Sequence, residues 1–226
     1  VRGIGADLAD RIVAARRADG EFSSLEDLVR RVPDLSVAHL EALATAGAFG
    51  ESLGLDRRQA LWLAGSAARA RPGTLPGTAG PVLAPRLPGM TPVEEAVADL
   101  WATGVSPDGH PTTFLRDELA RLGVSTSVDL QTHEPGRTVV VAGVVTHRQR
   151  PMTARGTTFM NLEDETGLVN VVVSVGCWQR FRTVARGAPA LVVRGRLERS
   201  EGVVNVVAEH LRPLPLAGAA RSRDFR

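Results

Sequence analysis

The stretch TVVVAGVVTHRQRPMTARGTTFMNLEDETGLVNVVVS, residues 138–174, decides the fold of everything around it. It opens on TVVVAGVV, 138–145, a run rich in β-branched residues with Gly143 in its middle. After a polar loop, TTFMNLED at 157–164 alternates apolar and polar residues, and LVNVVVS at 168–174 follows the turn ETG. β-Branched and aromatic residues in period two, bounded by Gly, Pro and Asp, predict strands. Two further runs come later, ALVVRGRLE at 190–198 and VVNVVAEH at 203–210. Between the third and fourth runs lies GCWQRFRTVARG, 176–187, which predicts a short helix. Five strands with a helix between the third and fourth is the layout of an OB-fold barrel. Gly143 suits the sharp bend that a small barrel needs.

Outward from that stretch the period changes. Residues 91–136 predict a helical connector: Thr91, Pro92 and Glu94 make a helix start, with Val93, Val97, Leu100 and Trp101 as its apolar side. SPDGHP at 106–111 is a turn, and a second helix over 112–122 places Leu115, Leu119 and Leu122 together before Gly123. RPGTLPGTAGPVLAPRLPGM, 71–90, is rich in Pro and Gly and predicts a linker or a surface strap. Residues 1–70 predict a helical module. Ser23 with Glu26 has a capping-box pattern, Ser36 can cap VAHLEALATAG with Gly47 beyond its end, and another helix runs from about 56 to 70. The expectation is a multidomain α+β chain: helical module 1–70, linker 71–90, helical connector 91–136, five-stranded barrel 137–215 and tail 216–226.

Composition narrows the function. The 226 residues contain no Lys and no Tyr, so all 27 basic residues are Arg. Almost nothing titrates between the thiol and the guanidinium groups, which lifts the isoelectric point to about 9.8 although the net charge is only +2. The isoelectric point is therefore no sign of nucleic-acid binding, whereas the distribution of charge is informative: residues 137–199 are net +6 and residues 71–136 net −4. A single cysteine excludes an intrachain disulfide, and no apolar run approaches the ~20 residues that span a bilayer. A soluble, cytoplasmic piece of something longer is expected, since there is neither an initiator Met nor a signal peptide.

Two places carry candidate binding residues. GIGADLADRI, 3–12, fits the pattern G-h-G-x-x-x-A-x-x-h. Gly3, Ile4 and Gly5 form a tight turn whose amides, with the N-terminus of the next helix, can hold a phosphate without side-chain charge. The same pattern also makes an ordinary tight turn between two helices. In the barrel, the loop HRQRPMTARG at 147–156 carries Arg148, Arg150 and Arg155, and the loop RSEG at 199–202 carries Arg199. With Thr158, Met160 and Leu162 inward, Thr157, Phe159 and Asn161 face outward, and Phe159 becomes a base-stacking platform. A one-residue slip would exchange the two sets. Arg180, Arg182 and Arg186 read as a solvated helix face.

No catalytic residue and no metal or other cofactor is expected. The acids of LEDE at 162–165 are adjacent rather than convergent and read as a strand-end turn. The five His are scattered, Cys177 beside Trp178 reads as packing, and without Lys no phosphate-binding G-x-x-x-x-G-K motif exists.

Taken in order, VRGIG, GEFSSLEDLVRRV, LEALATAGAFG, DRRQAL, DGHP, the stretch from VAGVV to NVVV and the finish SRDFR resemble one family: the C-terminal part of the bacterial C-family DNA polymerase III alpha subunit, most like its error-prone paralogue. The resemblance implies tandem helix-hairpin-helix motifs that hold duplex DNA, the first helix lying upstream of Val1. It also implies an OB-fold that contacts single-stranded template. Gly3, Ile4 and Gly5 would then be the phosphate turn, and Arg148, Arg150, Arg155, Phe159 and Arg199 the barrel's binding surface. The polymerase carboxylates would lie upstream, so this piece could not extend DNA alone. Accessory proteins of mutagenic, damage-tolerant synthesis are the implied partners, and no membrane is. Direct sliding-clamp binding is not expected: 71–90 lacks a Gln-plus-aromatic peptide, and QALWL at 59–63 is a poor substitute buried in a helix. Two other readings stand. F-x-x-L-x-D-x-x-G at 159–167 is similar to the anticodon-binding OB module of aminoacyl-tRNA synthetases, and the acidic 71–136 segment with the tail suits a protein-docking scaffold.

Overall fold

The computed structural model describes residues 1–70, 84–200 and 202–216. Most of the Pro/Gly-rich segment (71–83), the acid of the 199–202 loop and the tail from 217 lie outside the described residues. The chain divides into two compact units, one comprising 1–91 and 98–107, the other 92–97 and 108–226. The stretch 91–136 is thus shared between them.

The first unit contains α1 (Ala6–Asp19), α2 (Leu25–Arg31), α3 (Val37–Thr45), α4 (Gly50–Leu53) and α5 (Arg57–Ala67). Their core joins Leu8, Leu25, Leu28, Val29, Val32, Leu35, Leu40 and Phe49 to a set of alanines. Ala44 on α3 and Ala60, Ala64 and Ala67 on α5 are buried, so it is the alanine side of α5 that packs. Leu61 is only partly buried, while Gly65 and Trp62 face outward. The cap of α2 is Ser24, one residue later than expected: its Oγ accepts from the Asp27 amide at 3.0 Å, and the Asp27 carboxylate accepts from the Ser23 amide at 3.0 Å. Ser36 caps α3 as expected, with His39 completing the box, and Gly47 follows at φ 74°. Two arginines tie the helices together. Arg31 donates to the carbonyls of Ala15 and Gly20 and lies 4.3 Å from the Phe22 ring centre. Arg57 donates to the Thr45 carbonyl and pairs with Asp99 at 2.8 Å.

The helix α6 (Pro92–Thr103) starts at Pro92 as expected. Its buried stripe, however, is Val93, Ala96, Asp99 and Ala102. Drawing the Asp99 carboxylate in to Arg57 rotates Trp101 outward, leaving it half-exposed. After a 3₁₀ turn at Thr113–Leu115, α7 (Arg116–Arg121) is short, so Leu122 falls beyond its last turn and is exposed rather than packed.

The second unit is built on a closed barrel of β1 (Thr138–Gln149), β2 (Thr158–Asp164), β3 (Gly167–Val173), β4 (Ala190–Ser200) and β5 (Val203–Pro213), in the order β1-β2-β3-β5-β4. All neighbours are antiparallel except β3 and β5. This is the five-stranded OB topology expected from the element order. Two glycines permit closure. A Cβ on Gly143 would lie 2.5 Å from the Glu163 carbonyl oxygen, and one on Gly195 would lie 2.3 Å from that of Val207. The interior holds Val141, Met160, Leu162, Val171, Val173, Leu191, Val193, Leu197 and Val206. Between β3 and β4, α8 (Val175–Arg180) and α9 (Arg182–Gly187) close one end with Cys177, Trp178, Phe181, Val184 and Ala185.

A second apolar layer covers one flank of the barrel. Ala142, Ala190 and Val192 point outward from β1 and β4, yet they are buried under Val93, Leu119, Val124, Leu214 and Leu216. The outer side of β2, β3 and β5 has no such cover: Phe159 and Leu168 are exposed there, and Asn161, Asn170, Val172, Asn205 and Val207 are half-buried.

Candidate nucleic-acid interface

At the start of the chain the hairpin turn has the geometry its glycines imply. Gly3 sits at φ 82°, the left-handed region, and the Ile4 amide closes the turn on the Val1 carbonyl at 3.2 Å. Gly5 is the N-cap of α1 and brings no side chain to its first amides. A Cβ at either glycine would meet nothing within 4 Å, so the space above the turn is open. Ile4 turns the other way and packs on the module's core. Among the described residues, neither the Gly3 nor the Gly5 amide is taken by a backbone acceptor. Open amides at the positive end of a helix of 14 residues can hold a phosphate oxygen. The equivalent turn before α3 carries Asp34, which pairs with Arg11, so it lacks that character.

On the barrel, β2 adopts the expected phase. Thr158, Met160 and Leu162 point inward, and Phe159 is 41% exposed. The loop after β1 turns on itself through Ala154 N–H to the Pro151 carbonyl and Thr157 N–H to the Ala154 carbonyl. Arg155 takes the left-handed conformation at φ 48° and points outward, and Met152 is fully exposed at the loop's tip. The loop folds back on α8: a Cβ at Gly156 would lie 3.0 Å from the Val175 side chain, and the Arg150 guanidinium stands 6.0 Å from the Trp178 ring centre. Trp178 is thus part of the surface beside Arg150, which its place in an inter-strand helix did not indicate.

The expected arginines divide into two kinds. All four residues are exposed, but among the described residues the side chains of Arg150 and Arg155 make no hydrogen bond or ion pair. Arg148 donates from Nε to the Ala185 carbonyl at 2.9 Å and from Nη2 to the Ala188 carbonyl, which fastens β1 to the end of α9. Burial holds its guanidinium below the ordinary value. Arg199 donates to the carbonyls of Gln131 at 2.8 Å and Leu130 at 3.3 Å, closing the 3₁₀ turn at Asp129–Gln131. Both guanidinium groups therefore hold the backbone, and the arginine surface centres on Arg150 and Arg155. Arg180, Arg182 and Arg186 are exposed on α8 and α9.

The acids of LEDE have structural partners. Asp164 is 4% exposed and accepts from the amides of Ser127, Thr166 and Gly167, which shapes the β2–β3 turn. Glu165 pairs with Arg116 through both carboxylate oxygens and accepts from the Thr112 hydroxyl. Burial alone would raise its pKa, but these hydrogen bonds outweigh burial and hold it at about 2. His110 lies on the same Thr112 hydroxyl at 2.6 Å, its pKa lowered by burial. Among the described residues, no group of three or more His, Cys, Asp or Glu is placed to hold a metal ion. The F-x-x-L-x-D-x-x-G pattern has a local explanation as well: Leu162 fills the core, Asp164 shapes the turn and Gly167 takes φ 146°. QALWL lies in α5 with Gln59 locked in a capping box against Asp56, but Trp62 is exposed rather than buried.

Residues 1–60 match the family model for a helix-hairpin-helix motif, and residues 139–214 that for an OB-fold nucleic acid binding domain. All 226 residues align with error-prone DNA polymerases, at 54% identity to that of Mycolicibacterium paratuberculosis and of Mycobacterium tuberculosis, and at 55% to that of Nocardia farcinica. Over its whole length the chain is thus similar to one segment of error-prone DNA polymerases. It spans 20% of the length of these polymerases. Among solved structures, an asparaginyl-tRNA synthetase from Pyrococcus horikoshii matches 35% of this chain and 19% of its own, at 25% identity and a TM-score of 0.31, too low to bear on function. The two segments matched by the family models contain the two places where the geometry leaves backbone amides or a sheet face open. No helix among the described residues is long and apolar enough to cross a membrane.

Proposed function

We propose that this chain is a non-catalytic DNA-binding segment of an error-prone polymerase. The Gly3–Ile4–Gly5 turn takes a duplex phosphate, and the open barrel side takes single-stranded template. The whole polymerase would supply nucleotidyl transfer elsewhere, serve damage-tolerant synthesis in the cytoplasm and meet its accessory proteins there. The observation that carries the reading is the asymmetry of the barrel: one flank is sealed by an apolar layer, while the β2–β3 side exposes Phe159, which pairs in register with Gln149 at the start of the loop that carries the exposed Arg150 and Arg155. An aromatic platform flanked by arginines suits a single strand, with stacking worth roughly 1–3 kcal/mol per base.

Anisotropy titrations of labelled single-stranded and duplex oligonucleotides against salt test this. Affinity should fall linearly with the logarithm of salt, and Arg150→Ala or Arg155→Ala should each reduce the single-strand slope by about 0.7. Binding that is absent at low salt, or indifferent to salt, would overturn the proposal.

A further inference from the structure

Three asparagines stand in one row across the open side of the barrel. Asn161 on β2 pairs in register with Asn170 on β3, and Asn170 pairs with Asn205 on β5. The row continues to His147 on β1 and Glu198 on β4. Each asparagine lies between two buried neighbours on its own strand, so all three side chains point outward, and each is half-buried. None of the three side-chain amides has a hydrogen-bond partner among the described residues. The adjacent row, Gln149, Phe159, Val172, Val207 and Arg196, is apolar at its centre.

This arrangement is unfavourable for stability alone. Asn is depleted in strands because its short polar side chain packs poorly there, and Val or Thr would serve each position better. Three such residues at one register on three adjacent strands place unmatched amides about 10 Å from end to end, at ~4.8 Å per strand. Each amide offers two N–H donors beside a carbonyl acceptor. Phosphate oxygens only accept, and the exposed Arg150, next after the Gln149 that pairs with Phe159, is suited to meet them. The complement to a donor beside an acceptor is the edge of a base, adenine above all, whose exocyclic amine adjoins a ring nitrogen.

Building on the single-strand reading above, we infer that Asn161, Asn170 and Asn205 form a base-contacting row that hydrogen-bonds the edges of unpaired bases, adenine foremost, while the Phe159 row stacks them. Unstacked single-stranded bases offer both faces and edges to a protein, as this pair of rows requires.

The experiment compares binding of the 226-residue chain to three labelled strands of equal length: oligo-dA, oligo-dT and an abasic strand with the same phosphates. The wild type should bind oligo-dA more tightly than oligo-dT, and both more tightly than the abasic strand. Asn161→Val and Asn170→Val should each weaken oligo-dA binding about tenfold, with abasic-strand affinity and salt slope unchanged. Valine suits a strand, so the melting temperature should hold or rise; this separates lost contact from lost fold. Phe159→Ala should weaken oligo-dA and oligo-dT alike. Variants that keep full affinity for oligo-dA, or lose equally on the abasic strand, would overturn the inference. A wild type that binds all three strands equally would overturn the base contacts and leave single-strand binding standing. A wild type that binds none of them would overturn the function proposed above, and this inference with it.

Discussion

Single residues in this chain show how an identical side chain acquires different work from its surroundings. Arg148 and Arg150 are two positions apart, yet one guanidinium closes the end of a helix and the other lies beside an indole in solvent. Hydrogen bonds from a charged donor contribute about 1.5–3 kcal/mol. Arg148→Ala should accordingly lower the melting temperature by several degrees, at about 2–4 °C per kcal/mol for a chain of this size. Arg150→Ala should leave melting almost unchanged and weaken DNA binding; thermal scans paired with anisotropy separate the two. Glu165 gives a pH signature. Its folded pKa of about 2 lies below the ordinary 4.5, so its contribution to stability is complete above about pH 4.5 and lost as the pH falls toward 2. Glu165→Gln should flatten the stability curve in that window, as denaturant melts at stepped pH would show. A curve with an unchanged acid limb would mean that other carboxylates set it.

At the scale of elements, barrel closure and helix docking each depend on a few positions. Gly143→Ala or Gly195→Ala would drive a methyl group into a neighbouring strand's carbonyl, at 2.5 Å and 2.3 Å. Overpacking of this kind costs about 1–3 kcal/mol or more, and since the clash is with backbone, no rotamer change relieves it. Either variant should melt well below the wild type. In the helical unit, the side chains of Arg57 and Asp99 are only 17% and 8% exposed. Removing one partner of a buried pair costs about 3–5 kcal/mol because the other charge remains. Asp99→Ala should therefore destabilise that unit more than most surface changes do, readable as faster amide exchange in α3 and α5. Much at this scale was legible in the sequence: strand number and order, the Ser36 cap, the Pro92 start and a helical segment between β3 and β4, although that segment is two short helices, α8 and α9, rather than one. Long-range partners were not. Nothing local in VEEAVADLW announces that Asp99 is drawn inward to Arg57, and that ion pair is why Trp101 faces out. Ser23 and Ser24 are both competent caps, and only the final chain direction selects the second.

For the whole molecule, sorting of charge matters more than its total. A net +2 conceals +6 over residues 137–199, with Arg150 and Arg155 on one loop of the barrel. The candidate site was legible only in part for the same reason. Period-two alternation in TTFMNLED put Phe159 outside, as the barrel has it, and the glycines of GIG pointed to a tight turn, at which Gly3 takes φ 82°. The asparagine row could not be seen, because cross-strand register is set by barrel closure, and Asn161 and Asn205 are far apart in sequence. Nor could composition reveal that Arg148 and Arg199 hold carbonyls. The claim that joins these observations is that the β2–β3–β5 side of the barrel receives a single strand. Titrating the isotope-labelled chain with a short single-stranded oligonucleotide, and following backbone amide shifts residue by residue, tests it directly. The largest changes should fall on Phe159, Asn161, Asn170, Val172 and residues 150–156. Changes confined to the sealed flank of Ala142, Ala190 and Val192, or no changes at saturating oligonucleotide, would contradict it.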